Sequence, residues 1–324
     1  MSPEPLLRVQ DLTLEYLTGD GPVAAVDQVS FELRPGQALG LVGESGCGKT
    51  TVANCLLRLL PENARVRSGR VLLGGEDILG FSPAQLRELR GNRVAMVFQA
   101  AMNSLNPVYR VGDQIIEAIR AHRSLPRERM QERLEELYEL VGLDPAVMWS
   151  YPHEYSGGMR QRAVIAMALC CDPDVLVADE PTTALDVIVQ RQILRRLARI
   201  HRRSQRAMIL VSHDLAAIAQ VCDHVAVMYA GQLIESGPTD RVLSAPIHRY
   251  TRALLDAVPR LQGPRRDLAV IGGEPPDLLE PPPSCRFHPR CRQALPECRT
   301  AQAPRIERSA DHWALCFDPC PEPA

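Results

Sequence analysis

"GESGCGKT", residues Gly43–Thr50, decides the fold of this chain. It fits the pattern G-x-x-x-x-G-K-[ST] of a phosphate-binding loop, in which backbone N–H groups converge on the β-phosphate of a nucleotide. The apolar run "ALGLVG" before it predicts a buried strand, and "KTTVANCLLRLL" after it predicts a helix whose N-terminus favours an anion. The order of strand, loop and helix therefore predicts an α/β nucleotide-binding fold. One face of the predicted helix carries Val52, Cys55, Leu56 and Leu59.

Two side chains of the loop have predicted chemical roles. Lys49 is placed to reach the β- and γ-phosphates, and the Thr50 hydroxyl is placed to ligate Mg²⁺. Cys47 is a thiol inside the loop, which predicts sensitivity to oxidation or alkylation. The predicted ATP-binding stretch comprises Gly43, Glu44, Ser45, Gly46, Cys47, Gly48, Lys49, Thr50 and Thr51.

A second apolar run ends in acidic residues. "DVLVADEPTTALD", residues 174–186, has four apolar residues from Val175 to Ala178, which predict a buried parallel strand. Asp179 ends this strand, where a carboxylate can hold Mg²⁺, and Glu180 follows, placed to polarise an attacking water. Strands that end in aspartate are common, so this motif gains its weight from the phosphate-binding loop upstream.

The third motif is "YSGGMRQRAVIAMALCC", residues 155–171. Ser156 is an N-cap residue type, and Gly157 and Gly158 open the backbone at a second helix N-terminus suited to an anion. One ATP does not need two such sites from one subunit. The motif therefore predicts that Ser156, Gly157, Gly158 and Met159 contact the ATP of a partner subunit; an ordinary capped helix is the alternative.

Composition limits the classes of function. The 324 residues carry a net charge of −2, with 45% hydrophobic and 23% charged residues, as in an ordinary globular protein. This charge gives no bulk affinity for nucleic acid or for an anionic membrane. The longest apolar run, "AVIAMALCC", has nine residues, well short of the roughly 20 that span a bilayer. The start of the chain has no signal-peptide pattern, so we expect a chain that is soluble or held at a membrane by other proteins.

Together these motifs resemble the ATP-binding subunits of ABC transporters. The order matches: the phosphate-binding loop, "FQ" at residues 98–99, "SGGM", "ADEP", "TALD" and then "VSHD". The resemblance implies an α/β fold, an ABC-type P-loop ATPase domain with a helical subdomain. It also implies ATP hydrolysis with Mg²⁺ held through Thr50, Gln99 and Asp179.

The resemblance implies further roles outside the loop. Tyr16 would stack on adenine, and Gln99 would sense Mg²⁺ and the membrane subunits. His213 would contact the γ-phosphate beside the catalytic Glu180, although the residue alone is better explained as a structural histidine at a strand end. Asp186 would link the two ATPase subunits.

The organisation along the chain follows from the patterns. Strand-like and helix-like runs alternate from residue 6 to about 238, and no strand signal appears between about 111 and 171, which predicts a helical insertion. Five prolines between Pro275 and Pro283 predict a stiff linker. We therefore predict an ABC ATPase domain at 1–240 with its helical subdomain at about 100–171, a helix and proline-rich linker at 241–283, and a small cysteine-rich extension at 284–324.

Longer stretches resemble the dipeptide and oligopeptide importers of bacteria. They include "SLNPVYRVGDQI", "ADEPTTALDVIVQRQIL" and the tail segment "PPSCRFHPRC", and the N-terminal half resembles the D-type ATPase of the usual D/F pair. The resemblance implies a peripheral subunit at the cytoplasmic face of the inner membrane. Its partners would be an F-type ATPase subunit, two membrane permeases and, indirectly, an extracytoplasmic peptide-binding protein. The sequence departs from the family at Ala100–Ala101, where an acidic residue and proline are usual.

Other functions remain as alternatives. The chain could serve an importer for another small solute, or be an ABC ATPase without a transporter. Residues 191–206 hold seven arginines, which suggest a nucleic-acid patch, but Ile193, Leu194, Leu197 and Ile200 form a helical apolar stripe that leaves the arginines on the solvated face. With the slightly negative net charge, this argues against a nucleic-acid partner. A redox-sensing module that binds ATP has support only from the tail.

Four of the five tail cysteines have the spacing C-x5-C-x6-C-x17-C, and Cys320 is left over. Structural zinc usually shows close C-x2-4-C pairs, and none occur among these four; disulfides are unusual in the cytosol. The tail resembles that of peptide-importer ATPases in which such cysteines hold an iron–sulfur cluster, which implies a structural [4Fe–4S] cluster. Zinc, with His288 or His312 in place of one cysteine, is the alternative, and buried free thiols are another. The implied cluster ligands are Cys285, Cys291, Cys298 and Cys316.

Overall fold

The chain folds into two β-sheets with helices between and around them, in a computed structural model that describes residues 4–99, 104–257 and 271–322. The strands are β1 (Leu7–Thr18), β2 (Gly21–Leu33), β3 (Ala38–Val42), β4 (Ala64–Leu73), β5 (Glu76–Asp77), β6 (Val94–Val97), β7 (Val175–Asp179), β8 (Ala207–Ser212), β9 (His224–Tyr229), β10 (Gln232–Pro238), β11 (Arg305–Ser309) and β12 (His312–Leu315). The helices are α1 (Lys49–Leu56), α2 (Pro83–Leu89), α3 (Val111–Arg120), α4 (Arg127–Val141), α5 (Gly157–Leu169), α6 (Val187–Ser204), α7 (Leu215–Val221), α8 (Thr239–Ser244) and α9 (Arg249–Asp256).

The larger sheet has eight strands in the order β11-β12-β10-β9-β3-β8-β7-β6. The five strands from β9 to β6 are parallel, and the other three pair antiparallel. All residues of β3, β7 and β8 are buried, as expected for parallel strands covered on both faces. The strand predicted over residues 175–178 is therefore present, and it ends at Asp179.

The smaller sheet is antiparallel, with the order β2-β1-β4-β5. Alternate residues of the parallel strands divide between two cores because successive side chains of a strand point to opposite faces. Val175 and Val177 join the core that contains the small sheet and α1. Leu176 and Ala178 join the core on the other face, which includes the helices α3, α4 and α5.

The helices between β6 and β7 follow the apolar pattern of the sequence. Helix α4 ends at Gly142, whose φ of 72° is the left-handed conformation that closes many helices. Its predicted apolar face is buried and consists of Met130, Leu134, Leu137 and Val141. No strand occurs in the described residues 104–171.

One sequence expectation about α1 is wrong. The helix ends at Leu56, and Leu57 and Arg58 form a turn in which Arg58 has a φ of 49°. Leu59 is consequently 36% exposed and does not continue the buried stripe of Val52, Cys55 and Leu56. The "LRLL" sequence has helical character, but the chain must turn here to reach β4.

The C-terminal region is built onto the larger sheet. Strand β12 pairs with β10 through Glu235–Ala314 and Ser236–Trp313, and β11 pairs with β12. Phe287 is buried in the core that contains the helices of the larger sheet. The sequence pattern did not predict these two strands, which take their stability from a sheet formed more than 60 residues earlier. In the described part of the chain, no helix combines the length and hydropathy needed to cross a membrane.

Candidate nucleotide-binding site

The predicted site residues converge at one edge of the larger sheet. β3, β6, β7 and β8 are parallel, so their carboxyl ends lie on the same side. The phosphate-binding loop follows β3, Gln99 follows β6, and Glu180 and His213 follow β7 and β8. Ligands of open α/β sheets bind at this edge.

The phosphate-binding loop is packed tightly against its neighbours. A Cβ on Gly43 would lie 2.2 Å from the carbonyl oxygen of Met228, and one on Gly48 would lie 2.3 Å from that of Ala25. Gly48 also has a φ of 102°, a conformation that favours glycine. Lys49 Nζ donates to the carbonyl oxygens of Gly43 and Glu44, both at 2.8 Å. The loop therefore has a fixed shape with its lysine folded along it.

Cys47 is buried within this loop. Its side chain lies 3.6 Å from Lys49 Nζ, and it is only 5% exposed. Burial raises the pKa of the Cys47 thiol, and the nearby ammonium of Lys49 only partly opposes this. Since the thiolate is the reactive form, this environment argues against the oxidation sensitivity that the sequence alone suggested.

Thr50 and Asp179 form the group that fits Mg²⁺. The Thr50 hydroxyl donates to Asp179 Oδ1 at 3.3 Å, and Asp179 is 1% exposed. Burial raises the pKa of Asp179, which the hydrogen bond from Thr50 only partly offsets. A buried carboxylate beside a hydroxyl, both oxygen ligands, is a donor set that Mg²⁺ prefers.

Glu180 is the centre of a second cluster. Its carboxylate contacts His213 Nδ1 at 3.0 Å and accepts from Gln99 Nε2 at 3.1 Å and from the Thr183 hydroxyl at 3.0 Å. Burial alone would raise the pKa of Glu180, but the hydrogen bonds from His213 and Thr183 outweigh it and lower the pKa. Glu180 has a φ of 44°, a strained conformation that is frequent at active sites. The geometry holds an ionised carboxylate beside the phosphate-binding loop.

The remaining predicted residues lie at the rim. The Tyr16 hydroxyl is 3.1 Å from the Thr51 hydroxyl, which places this tyrosine next to the start of α1. Gln99 bonds Glu180, whereas Thr50 bonds Asp179, so the three predicted Mg²⁺ ligands are divided between the two clusters.

The residues predicted to contact a partner subunit start two adjacent helices. Ser156 accepts from the N–H of Met159 at 3.3 Å and caps α5, as predicted. Asp186 Oδ1 accepts hydrogen bonds from the backbone N–H groups of Ile188 and Val189, both at 3.0 Å, and caps α6. A Cβ on Gly158 would lie 2.6 Å from Val189, so a glycine lets these two helix starts approach.

Sequence reasoning missed three residues of the site. Thr183 bonds Glu180, Tyr250 accepts from the backbone N–H of Glu44, and Arg290 pairs with the Glu44 carboxylate. The threonine follows Glu180 by three residues, a separation that a turn closes. No local signal could find the other two, which lie more than 200 residues from Glu44.

The tail cysteines do not form a preorganised ion site. Across residues 4–99, 104–257 and 271–322, no three His, Cys, Asp or Glu side chains are placed to hold a metal ion. The two histidines suggested for zinc are engaged elsewhere. His312 Nε2 lies 2.9 Å from Glu235, and His288 Nδ1 lies 2.9 Å from the carbonyl oxygen of Cys285.

Sequence comparisons identify the family. The profile described as "ABC transporter" matches residues 26–183, and that described as "Oligopeptide/dipeptide transporter, C-terminal region" matches residues 234–298. The dipeptide transport ATP-binding protein DppD of Bacillus subtilis is 44% identical over 317 residues, 97% of this chain and 95% of its own length. The oligopeptide transport ATP-binding protein OppD of Escherichia coli is 43% identical over 319 residues, 98% of this chain and 94% of its own length.

Structure comparison gives the same fold. The dimeric ATP-binding cassette MJ0796 bound to ADP and Pi has a TM-score of 0.64 at 22% identity, over 72% of this chain and 98% of its own. Near full-length identity above 40% with such relatives, together with both profiles, decides the family. The chain is thus an ABC-type ATPase and belongs to the family of dipeptide and oligopeptide transport ATP-binding proteins.

Proposed function

We propose that this chain is the energy-coupling ATPase subunit of an importer for dipeptides or oligopeptides. The observation that carries the proposal is the match along the whole chain, which includes both the ATPase motifs and the C-terminal region described for oligopeptide and dipeptide transporters. An ABC ATPase of unrelated function would have no reason to share the second part. This also favours a peptide over another small solute.

Different residues of the site would bind the phosphates, hold Mg²⁺ and activate the attacking water during ATP hydrolysis. The loop N–H groups and Lys49 bind the phosphates, and Thr50 with Asp179 would hold Mg²⁺, which neutralises charge on the phosphate oxygens when bound. Glu180 orients the attacking water and accepts its proton. His213 and Thr183 fix the Glu180 carboxylate, and their hydrogen bonds outweigh its burial and lower its pKa, which favours the ionised form.

We also propose that a second ATPase subunit, of the F type, completes the site. Val187 and Ile188 follow Asp186 and are 75% and 72% exposed, an unusual position for two large apolar side chains. Such a surface suits burial against a partner subunit. Ser156, Gly157, Gly158 and Met159 of each subunit would then contact the ATP of the other.

A second exposed apolar surface suits the two membrane permeases. Val108 is 69% and Tyr109 is 58% exposed, and Trp149 and Tyr151 are exposed close by, since the N–H of Val111 donates to the carbonyl oxygen of Ser150. Exposed aromatic groups of this kind favour a protein interface. Docking there would hold the subunit at the cytoplasmic face of the inner membrane, with an extracytoplasmic binding protein acting on the other side. Ala100–Ala101, the departure from the family noted above, lie outside the described residues.

We further propose that Cys285, Cys291, Cys298 and Cys316 hold a [4Fe–4S] cluster with a structural role. The thiols lie near enough to affect one another's ionisation. Burial is the main cause that raises the pKa of Cys285, and the neighbouring Cys298 and Cys291 also raise it. Backbone N–H groups point at these sulfurs and oppose the rise, as around thiolate ligands. A four-iron cluster is larger than one ion, so its four thiolates stand farther apart than the ligands of a single metal ion, for which the described residues offer no group of three.

The cluster is tested by anaerobic purification with iron, sulfide and zinc analysis and a visible spectrum. About four irons and four sulfides per chain with a brown colour support it. A colourless protein with stoichiometric zinc, or with neither metal, contradicts it.

The transport function is tested by uptake in a strain that lacks this gene. Labelled dipeptides and longer peptides are supplied, with a free amino acid as the control solute. Restoration of peptide uptake by the wild-type gene, but not by Glu180→Gln, supports the proposal. Unchanged peptide uptake in the deleted strain, with loss of uptake of another solute, contradicts the peptide assignment.

A further inference from the structure

The phosphate-binding loop is held from outside by the C-terminal region of the same chain. The Glu44 carboxylate accepts two hydrogen bonds from the Arg290 guanidinium, Nη1 to Oε2 at 2.6 Å and Nη2 to Oε1 at 3.0 Å. The backbone N–H of Glu44 donates to the Tyr250 hydroxyl at 3.0 Å. Two residues from beyond position 240 therefore fix one residue of the loop at both its main chain and its side chain.

Arg290 is itself held in place. Its side chain is 5% exposed, and it donates to the Tyr229 hydroxyl at 3.2 Å and to the carbonyl oxygen of Gly272 at 3.0 Å. Its guanidinium also lies over the Tyr229 ring, 5.8 Å from the centroid, and Tyr229, Tyr250 and Phe287 pack against one another with ring centroids 4.6 to 5.3 Å apart. The guanidinium thus loses little freedom when it pairs with Glu44, because its surroundings already orient it.

The negative charge of Glu44 disfavours the binding of phosphate groups to the loop. A phosphate-binding loop attracts anions through its N–H groups and the N-terminus of α1, and Glu44 adds a carboxylate to that loop. Glu44 is only 25% exposed, so water screens this charge incompletely. The bidentate guanidinium of Arg290 cancels the charge and matches its geometry. Without Arg290, the carboxylate would repel the phosphates of a bound nucleotide.

We propose that Arg290 is a positioning and charge-neutralising residue of the nucleotide site, which makes nucleotide binding depend on the cysteine-rich region of the same chain. Arg290 ends the short turn His288–Arg290, and the N–H of Cys291 closes that turn on the carbonyl oxygen of His288 at 3.2 Å. Cys285 begins the preceding turn, since its carbonyl oxygen accepts from the N–H of His288 at 3.0 Å. The position of Arg290 is therefore set by the backbone that carries these two cysteines.

An Arg290 that supported the loop by packing alone would make some of the same contacts, so the test separates the effect of charge from that of packing. The affinity of the purified full-length chain for MgADP is measured by titration calorimetry, and thermal melting is recorded without nucleotide. Arg290→Met should weaken MgADP binding at least about fivefold, the lower range of coupling between sites. Arg249→Met is the matched control, since Arg249 also lies in the C-terminal region but pairs with Asp318, at 2.6 Å, rather than with a loop residue. It should lower the melting temperature while leaving MgADP affinity unchanged.

The decisive comparison is the double variant. Glu44→Gln removes the carboxylate that Arg290 neutralises, so the double variant Glu44→Gln with Arg290→Met should recover most of the affinity lost in Arg290→Met. Glu44→Gln alone should bind MgADP at least as tightly as wild type. Repacking cannot explain such a rescue, since the glutamine restores none of the lost arginine contacts.

Two results would overturn the proposal. One is Arg290→Met with wild-type affinity for MgADP; the other is a double variant as weak as Arg290→Met. If Arg290→Met does not fold, Arg290→Lys and the double variant replace it. The lysine still neutralises Glu44, and the double variant has no carboxylate at position 44. Both should therefore bind MgADP close to wild type, and marked weakening in either would contradict the charge argument.

Discussion

Replacing Gly43 with alanine tests whether the shape of the phosphate-binding loop is set by close packing. The residue has an ordinary negative φ, so the alanine meets no backbone strain and only space decides its effect. The new Cβ would lie 2.2 Å from the carbonyl oxygen of Met228 and 2.8 Å from Cys47 Sγ. The first contact is with backbone, so a side-chain rotation cannot relieve it.

The size of the effect follows from that distance. Ordinary contact begins at 3.4 Å, so the loop and strand β9 must separate by about 1.2 Å. Met228 is paired with Leu233 in the sheet, which leaves the loop as the part that moves. A shift of about 1 Å in a binding group can cost about 10²-fold, and overpacking costs typically about 1–3 kcal/mol of stability. We therefore expect MgADP affinity to fall about tenfold to 10²-fold and the melting temperature to fall with it.

Titration calorimetry with MgADP measures the affinity, and Gly80→Ala is the control. Gly80 has no atom within 4 Å of an added Cβ and no positive φ, so its alanine should change neither affinity nor melting temperature appreciably. A Gly43→Ala chain that binds MgADP as well as wild type would refute the packing argument, since it would show that the loop tolerates the displacement.

Four further substitutions or treatments probe the site. Glu180→Gln should retain MgATP binding and lower phosphate release about 10²- to 10⁴-fold, the usual contribution of a general base; Lys49→Ala should instead weaken nucleotide binding itself, so equal binding in both variants would contradict the assignment. Burial raises the pKa of Asp179 in the folded protein. The contribution of this carboxyl group to the free energy of unfolding is therefore present below its unfolded pKa of about 3.9 and is lost as the pH rises through its folded pKa. Asp179→Asn should therefore melt at a higher temperature than wild type at pH 7, show no such gain at pH 3, and lose Mg²⁺-dependent hydrolysis; a lower melting temperature at pH 7 would contradict this. Cys47, with its raised thiol pKa, should react with iodoacetamide at pH 7.5 far more slowly than a free cysteine, measured by mass spectrometry, and rapid labelling of the native chain would contradict its burial.

Motifs that lie on one local strand–loop–helix unit could be predicted from the sequence. The phosphate-binding loop, the buried strand ending at Asp179 and the capping role of Ser156 depend on neighbours only a few residues away. The exact end of α1 was missed because residues 57–60 have helical character, while the turn is imposed by the connection to β4.

Contacts between distant segments could not be predicted. The pairing of Glu44 with Arg290 joins residues 246 positions apart. Whether Gln99 donates a hydrogen bond to Glu180 or lies beside Thr50 depends on the order of strands in the sheet. Strands β11 and β12 span only five and four residues, so they form because β10 offers an edge to pair with. Arg286 and Arg290 of the tail pair with Asp27 and Glu44, at separations that no local sequence pattern indicates.

Peptide transport in proteoliposomes measures directly whether ATP hydrolysis by this chain drives peptide import. The chain is reconstituted with its partner ATPase and both permeases, with MgATP on the side of the ATPase subunits and labelled peptide with its binding protein on the other side. We expect peptide accumulation that requires ATP and falls strongly when this chain carries Glu180→Gln. Peptide accumulation that is unchanged by Glu180→Gln, or ATP hydrolysis that proceeds without any peptide movement, would contradict it.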